Sequence, residues 1–158
     1  MGEQRLVTDS ALAFGDALPD GGALLGLDIG TKTIGIATCD AGWRFATAGQ
    51  TLQRGRFAKD CSILRDLANT RSIAGLVVGL PRNMDGTQGP RAQASRAYAK
   101  NLSEALDLPA LLWDERWSTA SAETAMIGQD MSRAKRHARI DSHAAAIILL
   151  GALDALTN

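Results

Sequence analysis

The chain is predicted to fold as α/β, a mixed sheet with helices on its faces. Three features predict it. Three short apolar strand segments follow one another with only glycine-bearing turns between them, the spacing of an antiparallel meander. A continuous apolar run, "IAGLVVGLP", reads as a strand buried on both faces. The remaining segments alternate helical and strand patterns, which makes the later strands parallel.

Residues 1–22 are expected to be an N-terminal extension, either flexible or packed on the body, ending in the breaker "PDGG". It does not read as a signal peptide, because Glu3 stands where a basic cluster belongs and Asp16 breaks the short apolar stretch. Residues 23–158 form the main domain. Its first strands are Leu24–Ile29, Thr33–Thr38 and Arg44–Leu52, joined by "DIGTK" and "CDAGW". A helix over Phe57–Asn69 follows, with Phe57, Cys61, Leu64 and Ala68 at helical spacing. Next come the buried strand and a loop, "RNMDGTQGP". Pro90 suits the first position of the next helix, which carries Ala94, Tyr98, Leu102 and Leu106 on one side. Pro109 bars its continuation, and "ALLWDER" is the fifth strand. A short helix near Thr119–Met126, a basic segment "GQDMSRAKRHAR" and a last apolar helix, "IDSHAAAIILLGALDAL", complete the chain. The order is β-β-β-α-β-α-β-α-α, and mixed sheet with flanking helices is its economical packing.

At 158 residues the chain suffices for one domain with a real core. It is 46% hydrophobic and 22% charged, which excludes a disordered chain. Seventeen Lys and Arg balance seventeen Asp and Glu, which argues against a protein that coats nucleic acid along its whole surface. No run reaches membrane-spanning length. Cys39 and Cys61 show neither metal spacing nor a disulfide framework. Cys61 falls on an apolar helix face and reads as a buried thiol, and a reducing cytoplasmic setting is expected.

The first strand poses the chemical question. Asp28 stands in the middle of "LLGLDIGTKTIGIATCD", and a carboxylate in a buried strand is costly unless it is paired or holds a metal. Two other acidic sites stand out: Asp114 and Glu115 at the end of the fifth strand, and Asp141 in the first turn of the last helix. Strand ends and helix starts gather side chains into one crevice in a sheet fold. Three carboxylates brought together need a cation to stay ionised, and oxygen ligands suit Mg²⁺ or Mn²⁺ rather than zinc. One or two such ions serve phosphodiester hydrolysis. Structural explanations compete. Glu115 pairing with Arg116 or capping a helix near Ser118 would account for it. The helix dipole alone favours an acid at the position of Asp141.

The run "RAKRHAR" concentrates positive charge just before Asp141. A solvated loop explains it, and so does a phosphate-binding arm beside a metal site. By charge and placement Lys32, Arg82, Arg116, Arg133 and Arg136 are the candidate substrate-binding residues. His137 and His143 show no metal spacing. Trp113, in an apolar strand, reads as core, and Trp117 is placed to stack on a base.

From Leu24 to Leu156 the chain resembles the YqgF family, also called RuvX, of the ribonuclease H-like fold. Four segments carry the resemblance: "LGLDIGTKTIGIA", "VVGLPRNMDGTQGP", "DERWST" and "IDSHAAAIIL". Each alone is weak, and all four in order are specific. The resemblance implies a ribonuclease H-like, five-stranded mixed sheet with its first three strands antiparallel. It places the family's acidic catalytic and metal-holding positions on Asp28, Glu115 and Asp141. It implies a nuclease acting in 5′-end maturation of pre-16S ribosomal RNA, in the setting of pre-ribosomal particles. Its alternative is a Holliday junction resolvase acting on branched DNA, for which a homodimer rather than a monomer is expected. One departure stands in the first turn, where Thr33 follows Lys32 and many members carry arginine. That puts a substrate contact at position 33 in doubt and leaves the acids untouched.

Two readings from other classes compete. "DIGTKTIGIA" looks like the first phosphate motif of the actin and sugar-kinase superfamily, which would make the chain an ATP-binding module; the chain has length for one such lobe and no second copy of the motif. The other is a factor that binds nucleic acid without cutting it, against which the presence of all three acids counts.

Overall fold

The computed structural model of the chain describes residues 6–19, 22–43, 45–81, 89–115 and 133–157, with residues 133–142 described as helical backbone. The elements in order are β1 (Val7–Thr8), α1 (Ala11–Ala17), β2 (Ala23–Ile29), β3 (Thr33–Cys39), β4 (Ala46–Gln53), α2 (Phe57–Thr70), β5 (Ile73–Leu80), α3 (Pro90–Leu106), β6 (Ala110–Asp114) and α4 (Arg133–Thr157). One sheet carries the strands in the order β1-β6-β5-β2-β3-β4. β2, β3 and β4 form the expected antiparallel meander. β2, β5, β6 and β1 run parallel. The parallel pairs follow from the crossovers through α2 and α3, which return the chain to the same end of the sheet.

The alternation of strand side chains sorts two cores. Leu25, Leu27, Leu76, Val78 and Leu112 pack under α2 and α3 with Leu64 and Leu102. Leu24, Val77, Leu111 and Trp113 pack under α1 and α4 with Phe14, Ile148 and Leu149. Each fully buried Leu or Phe contributes roughly 1.5–3 kcal/mol, so both faces stabilise the sheet. α4 lies very close to it. A Cβ at Gly26 would meet the Ala145 carbonyl oxygen and the Leu149 Cβ, each at 3.0 Å, so only glycine at that position lets helix backbone approach the strand this closely. The Trp113 ring lies against Gly151 of α4, and Trp113 is core as expected. Cys61 and Cys39 are both buried free thiols.

Local signals account for the element ends. Pro90 opens α3, and α3 stops at Asp107, which adopts the left-handed conformation (φ 61°, ψ 44°) two residues before Pro109. The Asp60 carboxylate, in the first turn of α2, accepts the Gly55 N–H at 3.1 Å and fixes the approach to that helix. β4 begins two residues later than expected, because Asp40 extends the preceding turn. Its carbonyl accepts from the Trp43 N–H and its side chain from the Phe45 N–H.

Two expectations are corrected. The sheet has six strands rather than five, because Val7 and Thr8 of the N-terminal segment pair with Ala110 and Leu111. That pairing covers an edge of β6 that would otherwise present open backbone groups. The last helix begins at Arg133, so the basic run forms its opening turns and Asp141 lies in its interior rather than its first turn. Arg, Ala and Lys are good helix formers, and neither Gly nor Pro interrupts the chain before Gly151. The short helix expected near residues 119–126, the loop 82–88 and Trp117 lie outside the described residues.

Candidate active site

The carboxyl ends of β2, β5 and β6 lie side by side at one edge of the sheet. Leu27 is opposite Val78, Gly79 opposite Trp113 and Leu80 opposite Asp114. Side chains alternate along each strand. Asp28 therefore shares the α4 face with Leu24 and Gly26, and Glu115 shares it with Leu111 and Trp113. Asp114 points the other way and is buried.

Asp28 on β2 and Glu115 after β6 are separated by β5, and they nevertheless meet. Their carboxyl groups share a hydrogen bond. Gly79 makes the meeting possible. A Cβ there would sit 2.8 Å from Glu115 Oε1 and would also strike the Ile148 side chain of α4. The missing side chain on β5 is the space that the Glu115 carboxyl occupies.

The electrostatics follow from this placement. Burial is the largest influence on Glu115 and disfavours its charge. The negative charge of Asp28 and the hydrogen bond to it act in the same direction. Arg91, at the start of α3, opposes them, and Asp114 adds a small further rise. Together they push the Glu115 carboxyl up to about 7. Glu115 therefore keeps its proton to well above the usual carboxylate range. The Asp28–Glu115 pair is a hard oxygen donor set, and a divalent cation in place of the proton satisfies both groups. Among the described residues no group of three or more His, Cys, Asp or Glu side chains gathers around this pair or elsewhere.

The other expected site residues divide by what is described. Asp141 lies on α4, and its side chain is outside the described residues. Lys32 is exposed in the turn after Asp28, at the same edge of the sheet. Arg133 and Arg136 lie in the opening turns of α4, also without described side chains, while Arg82 and Arg116 lie outside the described residues. Sequence reasoning missed Gly79, Arg91, whose charge acts on Glu115, and Arg54, which bonds the Gly30 carbonyl two residues past Asp28. A lone glycine inside an apolar strand is itself a signal of close approach. The arginines carried no signal, since one stands in a turn and the other in a helix's first turn.

Comparison with known proteins gives a consistent picture. A family model described as "RuvX: Holliday junction resolvase" matches residues 22–155. A protein of Novosphingobium aromaticivorans named "Putative pre-16S rRNA nuclease" is 61% identical over 153 residues, covering 97% of this chain and 98% of that protein. A protein of Sphingopyxis alaskensis with the same name is 59% identical over 153 residues, covering 97% of this chain and 100% of that protein. Among solved structures, T. thermophilus RuvC in complex with Holliday junction substrate superposes with a TM-score of 0.55 at 11% identity. That likeness spans 80% of this chain and 91% of the other, and it speaks to the fold, which is ribonuclease H-like as expected.

Proposed function

The chain belongs to the RuvX family, and from that premise we propose that it is a metal-dependent endonuclease that matures the 5′ end of pre-16S ribosomal RNA. The observation that carries the reading is the Asp28–Glu115 pair, two carboxyl groups held in contact over Gly79 at an edge of the sheet. Nothing in the packing of a stable sheet requires that contact, since burying two acids together is unfavourable. A site that exchanges the Glu115 proton for a cation does require it.

Asp28 and Glu115 would supply oxygen ligands to Mg²⁺ or Mn²⁺, and Asp141 would supply a third. Asp141 stands four residues before Ala145, whose carbonyl lies against Gly26, and seven before Ile148, whose side chain lies over Gly79. A bound cation neutralises phosphate charge and lowers the pKa of water for in-line attack on phosphorus. The chain's own part is to position and to neutralise. Glu115, whose carboxyl keeps its proton well above the usual carboxylate range, would be the group that gives it up on holding a cation. Asp28 is held in place by its pairing with Gly35 of β3, next to Leu27, which is paired with Val78 of β5. Lys32, and the Arg133 and Arg136 turns of α4, offer positive charge to the phosphates of the strand. Arg82 and Arg116 flank the same strand ends in sequence and are assigned the same role.

The family description favours a second reading, a resolvase that cuts branched DNA. The names of the relatives favour the ribosomal RNA precursor. Both substrates are polyanions, and the same pair of acids serves either. A cleavage assay separates them. Wild type and Asp141→Asn are compared, with Mg²⁺ or Mn²⁺, on a precursor 16S fragment carrying the unprocessed 5′ end and on a four-way DNA junction. RNA cutting that disappears in the variant supports the processing nuclease. Paired cuts in the junction alone select the resolvase. Binding without cleavage of either overturns the nuclease reading and leaves a nucleic-acid-binding factor.

A further inference from the structure

One residue past Asp28 the surface opens into a cleft lined by Ile29, Gly30, Thr31, Arg54, Arg91 and Ser95, among others. It sits between the β2–β3 turn, the end of β4 and the first turns of α3. Two arginines face it, and among the described residues no carboxylate lines it. An arginine pair without an acid is an anion site by chemistry.

Arg54 is held ready rather than free to wander. Its Nη1 donates to the Gly30 carbonyl at 2.6 Å, and its own backbone N–H donates to the Lys32 carbonyl at 2.9 Å. Its guanidinium carbon lies 5.1 Å from the centre of the Tyr98 ring. Tyr98 is in turn braced edge-on by Phe57 at 5.3 Å. One side of the guanidinium is thus committed to protein, and its remaining N–H groups are available to a ligand. This arrangement removes much of the entropy that an exposed arginine loses when it binds. Arg91 is exposed on the first turn of α3. Its charge reaches Glu115. The cleft and the acid pair are therefore neighbours at one edge of the sheet.

We propose that Arg54 and Arg91 form a phosphate subsite that grips the substrate strand beside the scissile position. The inference rests on the nuclease reading of the Asp28–Glu115 pair and adds to it the place where the strand is held. Arg54 fixes a backbone phosphate through its preset fork, and Arg91 bridges from that phosphate toward the acids. Contacts of this kind position the strand and carry no base preference.

The test measures binding of the precursor 16S 5′-end RNA over a range of salt concentrations, in Ca²⁺ or EDTA so that nothing is cut. Arg91→Ala, Arg54→Gln and, as a control elsewhere on α3, Lys100→Ala are compared with wild type. Thermal melts check that each variant is folded. Arg91→Ala removes an exposed side chain and stands as the decisive variant even where Arg54→Gln loosens the turn. The expected result is roughly tenfold weaker binding for each arginine variant. The slope of log affinity on log salt should also be shallower by about 0.7 to 1 for each arginine removed. Lys100→Ala should match wild type. Unchanged affinity and slope in both arginine variants, with wild type binding and cutting normally, overturns the subsite and leaves the nuclease reading intact. Loss of ATP or inorganic phosphate binding in the variants, with RNA binding unaffected, makes the cleft a small-anion site and overturns the proposal. A wild type that binds neither the RNA nor a four-way junction overturns the nuclease reading and the subsite together.

Discussion

Glu115 meets Asp28 across the width of β5, and the two carboxyl groups share one hydrogen bond over Gly79. This contact couples the stability of the fold to pH. The Glu115 carboxyl is pushed from 4.5 up to about 7, first by burial and then by Asp28. Below the unfolded value both states hold the proton, and the contact's stability is fully present. As pH rises toward 7 the unfolded chain has released it and the folded chain has not, so stability falls through that window. The shift corresponds to a ceiling of ~3 kcal/mol, and the partial exposure of the group brings this to ~1–2 kcal/mol. Melts in EDTA from pH 4.5 to 8 should show wild type losing several degrees relative to Glu115→Gln. Parallel curves for the two proteins would contradict the contact.

Adding a cation should reverse that loss. On the proposed reading, Mg²⁺ would bind the ionised pair in the folded state and stabilise it by mass action. At pH 7.5 the melting temperature of wild type should rise with millimolar Mg²⁺ and return on chelation, and that of Asp28→Asn should not respond. An equal response in both proteins would place the cation elsewhere.

Gly79 is the position through which the site is built. Gly79→Ala would put a methyl group 2.8 Å from Glu115 Oε1 and into the Ile148 side chain. Either α4 shifts or Glu115 turns away from Asp28. Cleavage should fall by about tenfold or more, since small displacements at a reacting centre are costly. Melting should fall by the ~1–3 kcal/mol of an overpacked core. Activity within twofold of wild type would show that the Glu115 carboxyl does not need the space above β5.

Much of this architecture can be read from residues, and the places where it cannot have physical reasons. The meander, the buried central strand and the helix opening at Pro90 follow from local pattern and turn chemistry, and these elements appear where the pattern puts them. Asp28 was visible because a charge interrupts an apolar strand. Glu115 was harder to separate from a helix cap, and what singles it out is a contact with a residue far away in the chain. The basic run falls outside the helix expected from the apolar pattern because its charge suggests solvent or phosphate, although its residues favour helix. The N-terminal segment shows no long periodic pattern. Its two-residue strand and seven-residue helix are stabilised by what they touch. Phe14 is fully buried among α4 and the sheet, and a Cβ at Gly75 would lie 2.8 Å from its ring.

That packing is itself testable. Phe14→Ala should remove ~3 kcal/mol or more and lower the melting temperature by on the order of 10 °C. A loss under one degree would mean that the N-terminal helix contributes nothing to the core.

The most direct measurement is the single-turnover rate of precursor 16S RNA cleavage against Mg²⁺ concentration, for wild type and Asp28→Asn. A bound metal supplies several kcal/mol of transition-state stabilisation. The account therefore predicts saturable Mg²⁺-dependent cutting by wild type and a loss of about 10²-fold or more in the variant at every Mg²⁺ concentration. Equal rates in the two proteins, or wild-type cleavage that persists in EDTA, would contradict it.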